Sequence, residues 1–242
     1  MDLTSYLLGR KSSGGGGGGS DLDWSAIGYS ETPQAIQDGY NYAVEIMRNW
    51  DSSSTMTNKF KNDMELMFMP VVDISKDSYL SNMFQYCNNL LQVENLDYSK
   101  AIYLDNMYDG CINLKSISNF NATGRMQYTF QNCSRLETLQ GNIKTENLRS
   151  AFSGCTNLQN IPIIDGSMIS GSNALQNTFL NCASLTDTSL DNILQLCISA
   201  TSYGGTKTLS KLGLNSTNYP TSRIEALPHY QGFINAGWTI GY

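Results

Sequence analysis

The amino-acid sequence predicts an α/β solenoid of about five to six turns, with a helical N-terminal cap and a mixed C-terminal cap. Three observations carry that expectation. The phrase aromatic-x-x-Cys-x-x-Leu recurs five times at a nearly fixed period, an apolar word of three-residue spacing follows it, and the regularity stops on both sides. One such turn cannot bury its own apolar side, whereas stacked turns bury a continuous column and stabilise one another.

In chain order, the first element is a short peptide, residues 1–13, whose apolar positions include Leu3, Tyr6, Leu7 and Leu8. A segment this short does not fold alone; it reads either as a frayed terminus or, the expectation adopted, as an anchor docking into another protein. Residues 14–20, six glycines and a serine, read as a flexible linker. The glycine run lacks the G-K-[ST] ending of a phosphate loop. Residues 21–63 are expected to form the N-terminal cap. There, Thr32 is suited to the N-cap and Pro33 to the first helical position. Ile36, Tyr40, Ala43, Val44 and Met47 then share one face, predicting a helix over about 33–50.

The repeats occupy residues 64–185. Their phrases are "NMFQYCNNL", "NMYDGCINL", "YTFQNCSRL", "SAFSGCTNL" and "NTFLNCASL". The expected inward residues are Phe84, Cys87 and Leu90; Tyr108, Cys111 and Leu114; Phe130, Cys133 and Leu136; Phe152, Cys155 and Leu158; and Phe179, Cys182 and Leu185. The cysteines are separated by 24, 22, 22 and 27 residues, and Cys197 stands outside the pattern. Leu90-x-x-Val93-x-x-Leu96-Asp97 matches Leu158-x-x-Ile161-Pro162-x-Ile164-Asp165 and, upstream, Leu66-x-x-Met69-Pro70-x-Val72-Asp73. A sixth, N-terminal turn therefore lacks only its cysteine, while the turn at Leu136–Leu139 drifts afterwards. Spacing of i, i+3 and i+6 fits a tight helical turn entering a short strand. Positions between the inward residues of the strands should face solvent: Gln92, Glu94, Ser116, Ser118, Thr138, Gln140 and Asn160. This candidate binding face is uncharged on balance and holds no aromatic row.

Residues 186–242 are expected to form the C-terminal cap. "TDTSLDNILQLCISA" places Leu190, Ile193, Leu194 and Cys197 on a helical face, "TKTLSKLGL" reads as a last strand, and a short helix with a Trp/Tyr-rich tail follows. Aromatics concentrate near the two ends, at Trp24, Tyr29, Tyr40, Tyr42 and Trp50 and again at Tyr219, Tyr230, Trp238 and Tyr242. Any left exposed are contact candidates, because Tyr and Trp are enriched at interface hot spots.

The words "MFQYCNNL", "AFSGCTNLQNIPIID" and "MPVVDISKDSYLSNMF" resemble the BspA-type leucine-rich repeat family over about half the chain. The resemblance implies a right-handed parallel solenoid with one strand per turn on one face and short helical turns or loops on the other. Its members are typically non-enzymatic surface or adhesion proteins of bacteria and of their phages. "YLLGRKSSGGGGGG", "LDWSAIGYSETPQAIQDGYNYA" and the ending "INAGWTIGY" are similar to structural proteins of phages and prophages of gut Firmicutes. Together these imply a virion component that displays the repeats for attachment. The expected partners are other virion proteins, through the N-terminal peptide, and a host-surface protein or glycan. The alternative is a bacterial cell-surface adhesin, and self-association into a homo-oligomer is left open.

The chemistry available narrows the function classes. Charged residues are only 15% of the chain and the net charge is −6, with no basic run, which argues against nucleic-acid binding and an electrostatic hold on anionic membranes. No apolar window is long enough to span a bilayer, and the N-terminus does not read as a secretion signal. His229 is the single histidine, and equivalent cysteines share one role that a nucleophile would not share. No catalytic residue, metal ligand or cofactor site is therefore expected. Stacked cysteines would lie about one strand spacing apart, about 4.8 Å, which geometrically allows disulfides. A buried free cysteine, the other reading, behaves as a small hydrophobe. Asp73, Asp97 and Asp165 recur at one register, where turn capping competes with calcium binding. A polysaccharide hydrolase would need two carboxylates at catalytic separation. The sequons at Asn121 and Asn215 carry weight only in a secretory context.

Overall fold

The computed structural model describes residues 33–48, 56–69, 74, 77–93 and 96–242. The anchor residues Leu3, Tyr6, Leu7 and Leu8, the linker at 14–20, Glu94 and Asp73 lie outside the described residues.

The repeats build short parallel strands. β1 (Phe68–Met69), β2 (Gln92–Val93), β3 (Ser116–Ile117) and β4 (Thr138–Leu139) form one sheet in chain order. Phe68, Gln92, Ser116 and Thr138 are successive register partners, and a parallel bridge from Thr138 to Asn160 continues the row. From β2 to β4 each strand buries its second residue (Val93, Ile117, Leu139) and turns the first toward solvent, the two-residue alternation of a strand. The turn at Leu136–Leu139 keeps this register, so its drift begins only after the strand.

A second parallel ladder was not expected from one strand per turn. β5 (Ile143–Lys144) pairs with β6 (Ile164–Asp165), and Ala122 bridges to Ile143. Ile143 and Ile164 point into the core while Lys144 and Asp165 point out. Two residues are too few for such alternation to register as a pattern. A third row of bridges links Tyr79, Tyr103 and Arg125.

The aromatic-x-x-Cys segment is a run of β-turns, where a helical turn was expected. Cys87 donates its N–H to the Phe84 carbonyl at 3.0 Å and Leu90 to that of Cys87 at 3.1 Å, but left-handed residues break the helical path. They stand two positions before and after each aromatic: Asn82 and Tyr86 around Phe84, Asn106 and Gly110 around Tyr108, and Asn177 and Asn181 around Phe179. Asn and Gly take this conformation at low cost. The reversals aim alternate N–H groups at the next turn. Leu80, Asn82, Phe84 and Tyr86 donate to the carbonyls of Tyr103, Asp105, Met107 and Asp109 at 2.8–3.0 Å.

Inside, Phe60, Phe84, Tyr108, Phe130, Phe152 and Phe179 form one stacked column. Neighbouring ring centroids lie 5.2–5.5 Å apart and planes differ by 3–14°. Phe60 belongs to a turn that is described from Met56 on and carries Asp63 where later turns carry cysteine. α1 (Pro33–Arg48) lies against β1. Its Tyr42 hydroxyl donates to Asp63 Oδ2 at 2.8 Å, while Asp63 Oδ1 accepts the N–H groups of Glu65 and Leu66. Burial, and then this bond to a carboxylate, push the Tyr42 hydroxyl up to about 12.

At the other end, α2 (Asp187–Ser199) is capped by Thr186 and buries Leu190, Ile193, Leu194, Leu196 and Cys197. The segment expected as a last strand is instead a 3-10 turn, Ser210–Leu212, closed by Gly213 at φ 90°. Leu209 and Leu212 are both buried, and residues three apart eclipse in a 3-10 turn. The carbonyls of Lys211 and Leu212 receive the N–H groups of Asn177 and Phe179, so this turn ends the backbone ladder. Two short helices, α3 (Thr221–Glu225) and α4 (Tyr230–Asn235), complete the cap where one was expected.

Candidate binding surfaces

The repeated cysteines are occupied inward. Cys87, Cys111, Cys133, Cys155 and Cys182 each donate their thiol to the carbonyl of the preceding turn's aromatic (Phe60, Phe84, Tyr108, Phe130 and Phe152) at 2.9–3.1 Å. All six cysteines are free and buried. Desolvation raises these thiols, Cys87 to about 12, which suppresses the reactive thiolate. The aromatic three residues before each of these cysteines and the leucine three residues after it are likewise buried, at 2% exposure or less.

His229 is held by one carboxylate. Asp191 Oδ1 accepts the His229 backbone N–H at 2.9 Å, and Oδ2 lies 2.7 Å from the ring Nδ1. The pair joins α2 to the start of α4, a positioning role within the cap. Among the described residues, no group of three or more His, Cys, Asp or Glu could hold a metal ion, and no helix is long and apolar enough to cross a membrane. Asp97 and Asp165 each accept the N–H of the serine two residues on, Ser99 and Ser167, at 2.9 Å. They close turns.

The structure brings Gln92, Ser116, Thr138 and Asn160 into one row along the first sheet. Ser116, Ser118, Gln140 and Asn160 are exposed, and Gln92 and Thr138 are half-buried. Asn160 donates to Thr138 Oγ1 and accepts from Thr186 Oγ1, both at 3.4 Å. Of the terminal aromatics, Tyr219 and Trp238 are buried in the cap, and Tyr242 is exposed.

A concave surface lies beside the second ladder. It is a shallow groove of about 560 Å³, lined by Ser99, Asn121, Thr123, Asn142, Ile143, Lys144, Ile163 and Asp165. Ile143 is the buried member of the lining, and Ile163 is 57% exposed. Asn121 Oδ1 accepts both the backbone N–H and the side-chain amide of Asn142, at 2.9 and 3.1 Å. Lys144 and Asp165 form an ion pair at 3.2 Å. Sequence reasoning missed this groove because Asn121, Thr123, Asn142 and Lys144 fall between the repeat words. The nearest signal was Asn121-Ala122-Thr123, which read only as a sequon.

The profile of a family described as "Mycoplasma protein of unknown function, DUF285" matches residues 53–163 and, in an overlapping match, 78–191. The chain belongs to this family. The DUF285 matches cover more than half the chain and take in all five cysteine phrases, and DUF285 units are leucine-rich-repeat-like. No curated protein and no solved structure matches the chain. Both candidate surfaces, the sheet row and the groove, lie within the DUF285 region.

Proposed function

We propose that this DUF285 chain is a non-enzymatic binding module. In this reading it is a right-handed BspA-type leucine-rich-repeat solenoid, displayed on a phage or prophage virion for attachment to a host-surface protein or glycan. The observation that carries the binding reading is the division of chemistry across the repeat. The thiols that could react are bonded inward to carbonyls, while the exposed row and the groove present amides and hydroxyls. Such a surface recognises ligands by hydrogen bonds and has little to offer bond cleavage. The display reading rests on the six glycines and the short apolar peptide before them, which together suit an anchored, swinging module.

Mass spectrometry of purified particles from the source strain tests the display. The expected result is that the chain is a particle protein and that deleting residues 2–13 releases it. Unchanged incorporation of the deleted form would remove the anchor. The repeat words also resemble bacterial adhesins, and recovery from the cell envelope in place of particles would favour that second reading.

A further inference from the structure

We propose that the groove beside β5 and β6 binds an uncharged oligosaccharide; this rests on the binding-module reading and names its ligand class. The charge balance comes first. The groove holds one cation and one anion, Lys144 and Asp165, and they are paired at 3.2 Å. An acidic or basic ligand would meet a group of its own sign beside the opposite one, whereas a neutral polyol meets no such repulsion.

The amide geometry comes second. Asn121 Oδ1 is committed to Asn142 through two bonds. That clamp leaves the Asn121 amide N–H groups and the Asn142 amide oxygen without an intramolecular partner among the described residues. A fixed donor beside a fixed acceptor suits neighbouring sugar hydroxyls, each of which both donates and accepts. Thr123 and Ser99 add hydroxyls to the same lining, and exposed Ile163 offers an apolar surface to the C–H face of a ring. The clamp rides on the Ala122–Ile143–Ile164 ladder, which fixes it better than a loop would.

A peptide ligand fits less well. The backbone within the ladder is already paired, with Ala122 N–H donating to the Asn142 carbonyl and Lys144 N–H to the Ala122 carbonyl, at 3.0 and 2.9 Å, so a peptide strand could add only outside these rows. Among the lining side chains, Ile163 alone is both apolar and exposed, and that is a poor anchor pocket for peptide side chains. The lining comes from four successive turns, so a chain of several rings fills it better than a single sugar.

The test is calorimetric titration of the full chain with neutral hexasaccharides (cellohexaose, chitohexaose, mannohexaose), with hexagalacturonate as the acidic comparator. The expected result is that at least one neutral probe binds and the acidic one does not. Asn142→Ala and Ile163→Ala should each weaken binding about tenfold, the loss of one good contact. The Lys144→Gln/Asp165→Asn double variant should stay within about threefold, as an uncharged ligand requires. Circular dichroism checks that each variant is folded. No binding to any neutral probe, or preference for the acidic one, overturns the ligand class. Attachment of Asn142→Ala particles to the host separates the two readings. If no saccharide binds yet the variant loses attachment, the ligand class falls and the module stands. If saccharide binding is found and the variant attaches normally, the attachment role falls.

Discussion

The stack from Met56 to Leu185 and the segment from Thr186 to Tyr242 both bury aromatic and aliphatic side chains, but by opposite means. In the stack the main contacts recur from turn to turn: ring on ring, thiol on carbonyl, left-handed corner on left-handed corner. In the C-terminal segment each contact occurs once. Trp238 lies between Tyr203 and Phe233, with centroids at 5.4 and 6.1 Å. Tyr219 donates to the Cys182 carbonyl at 2.7 Å and accepts the Leu185 N–H at 3.1 Å. Arg223 packs over the Tyr219 ring and bonds Leu185 and Asp187. The contrast teaches what an end must do. A repeated turn passes its unpaired N–H groups and carbonyls to the next, so the last turn needs a segment of different sequence to receive them.

Breaking the column should have the largest effect. Phe130→Ala removes a fully buried ring stacked on both Tyr108 and Phe152. It should cost about 4 kcal/mol in equilibrium urea unfolding. The same change at Phe179 should cost less, because among the described residues that ring stacks on Phe152 alone; equal costs would contradict the stacked picture. Tyr219→Phe probes the non-repeated end. It leaves the Cys182 carbonyl and the Leu185 N–H without their buried partner and should cost about 2 kcal/mol.

Two smaller effects separate backbone from side chain within the stack. Gly154→Ala places a Cβ at a residue with φ 82°, 2.7 Å from Asn132 Oδ1. It should cost about 1–2 kcal/mol, while Asn132→Gly should be close to neutral by the same assay. Cys155→Ala should cost about 1 kcal/mol, since the Phe130 carbonyl still accepts the Cys133 N–H at 3.1 Å. The smallest effect is electrostatic. The Ser167 hydroxyl and N–H, and then Lys144, hold Asp165 below the usual carboxylate range. Its contribution to stability is present above the ordinary aspartate range and is lost as pH falls through the lowered value. An NMR titration should find its midpoint below that of a free aspartate.

The period, the inward triplets and the strand positions were legible because each depends on side-chain identity repeated in register. Phe84, Tyr108 and Phe130 stack because the phrase that carries them recurs. The helix at 33–48 and the helical face at 187–199 were legible for the same reason, long periodic patterns being the most readable signal. The left-handed corners were not, because Tyr86, Tyr128 and Ser150 share them with Asn and Gly; the backbone requirement was masked by unlike side chains. The second ladder was too short to read. The groove depends on which loops the stack brings side by side: Asn121 and Asn142 meet only because Ala122 pairs with Ile143. Of the candidate surfaces, the sheet row followed from alternation, whereas the groove needed the fold.

The most direct test of the claim that the repeat cysteines serve packing alone is thiol labelling resolved by mass spectrometry. In the native chain, Cys87, Cys111, Cys133, Cys155, Cys182 and Cys197 should all stay unlabelled and then react together, in step with global unfolding, as buried thiols with raised pKa do. Rapid modification of Cys133 or Cys155 under native conditions would contradict the account.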